Sequence, residues 1–178
     1  MAGGKVSLEI VTPHGSVLRE EVDEVTAPSV SGEFGVLPGH LPLLAALRTG
    51  IVTYRQGGAE KKIAVAEGFV EVKDDRALVL TDKVLTRDEV DPVRVRLELK
   101  EVDDQLDRYS GEPGSPEWQA LVAREIWAAT QLELYGDPPP ATQRPFETYG
   151  PPSPPDEDSI PLPDPQNSHE IDAVTPRH

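Results

Sequence analysis

Near the start of the chain Val6, Leu8 and Ile10 alternate with Ser7 and Glu9, the spacing of a strand with one face buried. Residues 17–27 are less regular. Val22 and Val25 stand three apart, so a single strand there requires a bulge or a bend. Residues 51–55 and 62–72 flank Gln56-Gly-Gly-Ala59, which predicts a hairpin. Ala64, Ala66, Gly68, Val70 and Val72 then fall on one face of a continuous strand. Lys73-Asp-Asp-Arg76 predicts a second turn, leading into the apolar run Ala77-Leu-Val-Leu80, which reads as buried. Many short strands separated by turn clusters favour a β-sandwich or barrel.

After Val84 the period changes. Asp91 followed by Pro92 predicts a helix start, because Asp caps free amides and Pro is tolerated at the first position. Val95, Leu99, Val102, Leu106 and Tyr109 follow in steps of four and three, a narrow seam of the kind that packs against another helix. Ser110-Gly-Glu-Pro-Gly114 ends that helix and Ser115-Pro116 opens a second. The predicted stripe of the second helix is Trp118, Val122, Ile126 and Ala129, widened by Leu121, Ala128 and Leu132. Gly136 and Pro138 close it. Two antiparallel helices with a short link make an αα-hairpin. Beyond it proline is dense, acids outnumber bases and aliphatic periodicity is lost, which predicts a disordered, locally polyproline tail. The predicted organisation is therefore β then α, in two domains. An antiparallel β-sandwich or barrel covers residues 1–86, an antiparallel helical hairpin 87–136, and a Pro-rich acidic tail 137–178.

Charge narrows the range of partners. Seventeen Lys and Arg against 32 Asp and Glu give a formal net charge of −15. Nucleic acid and anionic lipid head groups are poor partners for such a chain, and basic protein surfaces better ones. Cysteine is absent, which excludes disulfides, thiolate metal sites and a cysteine nucleophile. No apolar run approaches the ~18 residues of a membrane span, and the start of the chain lacks a signal-peptide core. Attachment to a membrane is expected only through other subunits.

Ser31-Gly-Glu-Phe-Gly-Val-Leu-Pro-Gly-His-Leu-Pro-Leu-Leu44 is the most distinctive segment. Its glycines permit unusual backbone angles and Pro38 and Pro42 fix φ, so it predicts a compact, shaped loop displaying Glu33 and His40. For His40 two readings stand side by side, a ring bonded within its own loop and a partner contact. Glu33 reads from the residues alone as a solvated turn acid.

The same segment resembles the signature of the epsilon subunit of F-type ATP synthases. The resemblance continues through Leu43-Leu-Ala-Ala-Leu-Arg-Thr-Gly-Ile-Val52, Val65-Ala-Glu-Gly-Phe-Val-Glu-Val72 and Leu78-Val-Leu-Thr-Asp82. It implies a non-catalytic rotor subunit of the central stalk, coupling ion flow through the membrane c-ring to ATP synthesis in a catalytic head. It implies a peripheral position at the cytoplasmic face of a bacterial plasma membrane. The resemblance further implies that His40, with Leu41 and Pro42, faces the gamma shaft, and that Glu33, with Ser31 and Phe34, meets the polar loops of the c-ring. Leu41, Leu43 and Leu44 are expected to supply core or interface area.

Val90-Asp-Pro-Val-Arg-Val95 overlaps a pattern that binds ATP in some members of that family, with Asp91 and Arg94 matching and Val95 standing where the family has alanine. Against ATP, Asp91 also reads as a cap, and Arg124 is the one base on the second helix. No cofactor is predicted, and no phosphate-binding Gly-rich loop with Lys is present, so hydrolysis by this chain has no sequence support. In some members the hairpin extends along gamma, reaches the alpha and beta subunits and blocks hydrolysis. Here Glu125 and Glu133 leave the second helix acidic. Two other readings compete: a cupin-type β-sandwich enzyme with His14 and His40 as metal ligands, and a ligand-binding β-module with a dimerising hairpin.

Overall fold

The computed structural model describes residues 4–139. The predicted tail lies outside the described residues from position 140 onward. The first ten elements are strands: β1 Val6–Thr12, β2 Gly15–Val22, β3 Glu24–Ser29, β4 Gly32–Val36, β5 Leu43–Leu47, β6 Gly50–Gln56, β7 Ala59–Val65, β8 Gly68–Lys73, β9 Arg76–Thr81 and β10 Val84–Thr86. After a single 3-10 turn at Arg87–Glu89 come two helices, α1 Pro92–Asp107 and α2 Pro116–Tyr135.

Hydrogen bonding runs through the strands in the order β10, β7, β6, β3, β5, β8, β9, β1, β2, with β4 on the other edge of β3. β3 changes partner along its length. Its residues 24–26 pair with β6, and Ser29 pairs with Leu47 of β5. The path thereby folds over one shared core, a nearly closed sandwich built from Val6, Leu8 and Ile10 of β1 and from Val22, Val25, Val36, Val52, Val65, Val70, Val72 and Val79. Valine dominates because a β-branched side chain is stiff and fits a pleated surface. All pairings are antiparallel save that of β1 with β9, which the alternation of residues does not reveal.

The irregularity at residues 17–27 is a bend. β2 stops at Val22 and β3 starts at Glu24, so both Val22 and Val25 enter the core. Asp23 at the break accepts the Gly57 N–H at 2.8 Å and pairs with Lys5. A bulge also occurs earlier, where the β1–β2 register slips between Ile10 and Val11 and leaves Val17 unpaired.

The expected continuous strand over residues 62–72 is instead two strands with a corner at Ala66 and Glu67. Ala64 therefore faces the helices while Val70 and Val72 face the sandwich core. Two features hold this corner. The Thr81 hydroxyl sits among the carbonyls of Ala66, Glu67 and Lys83 at 3.0, 3.1 and 3.3 Å. At Gly68 a Cβ would lie 1.9 Å from the Leu80 carbonyl oxygen, so only glycine allows β8 to approach β9 this closely. The run at residues 77–80 alternates: Ala77 and Val79 are buried, and Leu80 points outward.

In the hairpin, Val95, Leu99, Val102 and Leu106 are buried as a seam, and Tyr109 lies beyond the end of α1, half-buried. The stripe of α2 is rotated from the predicted one. Trp118, Val122, Glu125, Ala128 and Leu132 lie inward, and Ile126 and Ala129 flank them. Glu125 is 2% exposed, so it belongs to the inner face and adds nothing to the acidic surface of α2. The hairpin packs on the sheet through Val90, Val95, Leu99, Ala128, Leu132 and Leu134, which meet Ala64, Ile51 and Leu85. Those three sheet residues form one cross-strand row over β6, β7 and β10.

Candidate functional site

The loop between β4 and β5 runs Leu37-Pro-Gly-His-Leu-Pro42. Pro38 and Gly39 (φ +80°) occupy the two central positions of a tight turn closed by the His40 N–H donating to the Leu37 carbonyl at 3.0 Å. The Gly39 N–H donates to Asp75 Oδ1 at 2.6 Å, tying the loop to the β8–β9 turn. Pro38 packs against Gly4, where an added Cβ would come within 2.9 Å of the ring. His40 Nδ1 lies 2.7 Å from the Leu41 carbonyl oxygen. A carbonyl only accepts, so this ring nitrogen carries the proton, and in the neutral ring Nε2 is an acceptor. Both sequence readings of His40 thus survive, since one nitrogen serves the loop and the other is chemically available. Leu41 is 79% exposed, and Pro42 is exposed beside it.

That loop leads directly onto the outer face of the sheet. Leu43 packs against the core, whereas Leu44 points out and is 72% exposed. The strand registers place Ala46, Phe69, Leu80 and Val11 in one cross-strand row over β5, β8, β9 and β1. Phe69 is 56% and Leu80 45% exposed. The neighbouring row reads Leu44, Glu71, Leu78, Glu9, Arg19, and the next reads Lys73, Arg76, Ser7, Glu21. This face therefore grades from apolar to charged. At its charged side Glu9 accepts from Arg19 and Arg76, each at 2.6 Å. The Arg19 guanidinium first, and then that of Arg76, hold the Glu9 carboxyl below its ordinary range.

The three residues expected at the other contact lie at the opposite end of β4. Ser31 is in the β3–β4 turn, where the Ser29 hydroxyl donates to the Gly32 carbonyl at 2.6 Å and the Ser31 N–H donates back to that hydroxyl oxygen at 3.2 Å. Glu33 projects outward from β4, and Val30 at the tip is exposed. Phe34 turns inward and packs against the core, half-buried. The five residues of β4 separate tip from loop by roughly 17 Å at ~3.3 Å per residue. The two predicted residue groups are thus not brought together; they are two surfaces at the ends of one stiff strand.

Asp91 and Arg94 sit at the start of α1. Asp91 Oδ1 accepts the N–H groups of Val93 and Arg94, both at 3.1 Å, so the carboxylate is occupied as the helix cap. Arg94 is exposed, and among the described residues no carboxylate lies within ion-pair distance of it. Arg124 is paired with Glu98 of α1 at 3.9 Å. Lys83 and Arg87, from the sheet side, lie over the Trp127 and Tyr135 rings of α2, and Arg96 of α1 binds Asp137 just past its end. Arg87 Nε also donates to the Tyr135 carbonyl at 3.1 Å. His14 occupies the β1–β2 turn and His40 the β4–β5 loop, and among the described residues no group of three His, Asp or Glu side chains is arranged to hold a metal ion.

Reasoning from the sequence missed the outward row of Ala46, Phe69, Leu80 and Val11. A signal existed, because Phe69 is out of phase with the inward Val70 and Val72, but exposure on the second face of a sheet depends on what covers it. It also missed Asp75, which lies 36 residues from its partner Gly39.

Comparison with known proteins adds an independent line. A family model described as the ATP synthase delta/epsilon chain beta-sandwich domain matches residues 5–87. ATP synthase epsilon chain 2 of Syntrophotalea carbinolica is 40% identical over 132 residues, 74% of this chain and 94% of that protein. The ATP synthase epsilon chain of Geobacter metallireducens is 41% identical over 128 residues, covering 72% and 93%. Among solved structures, a chain of the Euglena gracilis mitochondrial ATP synthase, OSCP/F1/c-ring in rotational state 1, superposes with a TM-score of 0.57 at 23% identity, over 75% of this chain and 79% of that one. That last likeness is one of fold.

Proposed function

The chain belongs to the epsilon-chain family of ATP synthases, and from that premise we propose that it is a non-catalytic central-stalk subunit joining the rotor shaft to the membrane ring. The cupin-type alternative falls away, because every relative above is an ATP synthase chain. So does the unaffiliated ligand-binding module.

The observation that carries the docking proposal is the uncovered apolar row beside the shaped loop. One outer face of the sandwich bears Ile51, Ala64 and Leu85, and the chain's own hairpin covers it. The other bears Phe69 and Leu80, next to Leu44 and Leu41, and no element of the described chain covers it. An exposed apolar face continuous with a rigid loop marks a protein interface. We assign it, with His40, Leu41 and Pro42, to the gamma shaft. Burying roughly 300 Å² of apolar surface there contributes about 7 kcal/mol before the costs of association. Glu33 and Ser31, at the far end of β4, are assigned to basic groups on the polar loops of the c-ring, with Phe34 as the support beneath them. Such a contact is charge-assisted.

Torque transmission needs a stiff body with separated contacts and no active-site pocket, and a valine-packed sandwich with loops at both ends of one strand is such a body. No described helix is long and apolar enough to cross a membrane, so we propose peripheral attachment through gamma and the c-ring, on the cytoplasmic side. The hairpin is proposed as a regulatory element that works without bound ATP, because the Asp91 carboxylate of the Asp91 and Arg94 pair is already used as the helix cap.

The test is capture of partners by the tagged full chain from detergent-solubilised membranes. Stoichiometric gamma and c subunits are expected. Phe69→Glu should lower gamma recovery without changing the melting temperature, and Glu33→Lys should lower c-ring recovery alone. Failure of the unmodified chain to bring down any rotary complex overturns the proposal.

A further inference from the structure

We propose that Asp75 is a positioning residue that holds the loop over residues 37–42 in its docking shape. The inference rests on the reading of that loop as the gamma contact.

The β8–β9 connection is a two-residue turn, Asp74-Asp75, between the paired residues Lys73 and Arg76. Both central residues adopt left-handed backbone angles, φ +51° and +58°. Turns of this geometry favour Asn-Gly or Asp-Gly, because a side chain at positive φ is strained unless something compensates. Glycine at position 75 is therefore the residue that backbone geometry alone would select. Its place is taken by an aspartate whose carboxylate accepts the Gly39 N–H at 2.6 Å, across 36 residues of sequence. The Asp75 carbonyl also accepts the Ser7 N–H at 2.8 Å, which anchors the turn to β1. Gly39 is the left-handed residue of the other turn, directly before His40. The strained Asp74-Asp75 turn and the glycine turn at Gly39 are thus joined by one charge-assisted hydrogen bond, and the joint fixes where His40 and Leu41 stand relative to the outer face of β8 and β9. Strain kept at a surface turn, where a relaxed residue would serve folding better, fits a local task outside folding.

Two substitutions separate this role from a structural one. Asp75→Gly removes the carboxylate and relaxes the backbone; Asp75→Asn keeps an acceptor oxygen and tolerates positive φ. In the isolated full chain, Asp75→Gly should leave the melting temperature unchanged or raised, while hydrogen exchange of the Gly39 amide accelerates about tenfold or more, the usual scale for loss of a charge-assisted bond. Binding to purified gamma subunit should weaken by about tenfold in the same variant. Asp75→Asn should restore most of both. Unchanged Gly39 exchange in Asp75→Gly overturns the proposal, as does a fall in melting temperature with no selective change at Gly39. The docking reading fails separately: if Gly39 exchange responds as stated but Leu41→Ala and Phe69→Glu bind gamma like the unmodified chain, the clamp exists and the loop is not the contact.

Discussion

Gly68→Ala is the sharpest probe of the sandwich. The substitution adds one methyl group at the corner where β7 gives way to β8. Its Cβ would sit 1.9 Å from the Leu80 carbonyl oxygen and 3.0 Å from both the Leu80 carbonyl carbon and the Thr81 Cα. Optimal contact is ~3.5 Å or more, so backbone must move by roughly 1.5 Å. Leu80 and Thr81 cannot yield freely. Thr81 pairs with Gly68 in the ladder, and its hydroxyl is lodged among three carbonyls of the same corner. Overpacking costs about 1–3 kcal/mol where side chains can adjust. A clash with backbone belongs at the top of that range, about 3 kcal/mol. For a folded unit of this size, the melting temperature should fall by roughly 10 °C. Circular dichroism on heating reads this directly, with Gly35→Ala as control, since nothing lies within 4 Å of a Cβ there. The control should be neutral or slightly stabilising. A Gly68→Ala protein melting within about 2 °C of the unmodified chain refutes the claim that the corner is rigid. Gamma recovery should fall with it, because Gly68 sets the spacing of the strands that carry Phe69 and Leu80.

Further expectations follow from single contacts. Glu9 has a depressed folded-state pKa, so its contribution is complete above the ordinary carboxylate value of 4.5 and is lost as pH falls through the lower folded value; Glu9→Gln should lower stability most at neutral pH, with the two stability–pH curves converging as pH falls below about 4.5. Asp91→Ala removes the acceptor for two amides of α1 and should cost about 1 kcal/mol, seen as faster hydrogen exchange in the first turn of α1 before any change in the strands. Leu132→Ala empties the centre of the helix–sheet cluster and should cost about 2–5 kcal/mol by urea unfolding, a smaller loss indicating that the hairpin packs loosely. Deleting residues 87–178 and measuring ATP hydrolysis by the assembled complex tests the regulatory role of the hairpin; unchanged activity counts against it.

What the sequence revealed depended on whether a local pattern had a single cause. β1 was legible because Val6, Leu8 and Ile10 are wholly buried and alternate with Ser7 and Glu9. The start of α1 was legible because Asp91-Pro92 is a chemical signal within three residues. The corner after β7 was not, since Ala66-Glu-Gly68 carries no Pro or Asn and the apolar Ala64 masks the switch of the core-facing set from Ile63 and Val65 to Val70 and Val72. Glu125 shows the converse failure. A carboxylate in a helix reads as surface, yet its angular position beside Val122 and Ala128 sets it inside. The parallel pairing of β1 with β9 was invisible because it joins segments separated by most of the domain. The loop over residues 37–42 announced its own turn through Pro38 and Gly39, while its tether to Asp75 exists only in three dimensions.

The two outer faces of the sandwich bear directly on regulation. Each carries an apolar cross-strand row, and the hairpin covers one of them. Extension of the hairpin, the motion that the regulatory proposal requires, uncovers Ile51, Ala64 and Leu85 and frees Leu132 and Leu134 together. It also breaks the grips of Lys83 and Arg87 on the end of α2. At about 1.5–3 kcal/mol for each large apolar side chain, the gross loss is on the order of 10 kcal/mol, reduced by the chain entropy that detachment returns. A remainder of only a few kcal/mol leaves the extended form populated at about 1% or less. Driving such an equilibrium from 1:99 to 99:1 takes about 5.5 kcal/mol of differential binding. On α2 that preference must come from surfaces that accept its released apolar face, because α2 offers Arg124 as its single base and Glu98 already engages it, whereas α1 also carries Arg94, Arg96 and Lys100. A brake working through α2 is therefore an apolar one whose strength should depend little on salt, and a strong salt dependence would instead point to the bases of α1.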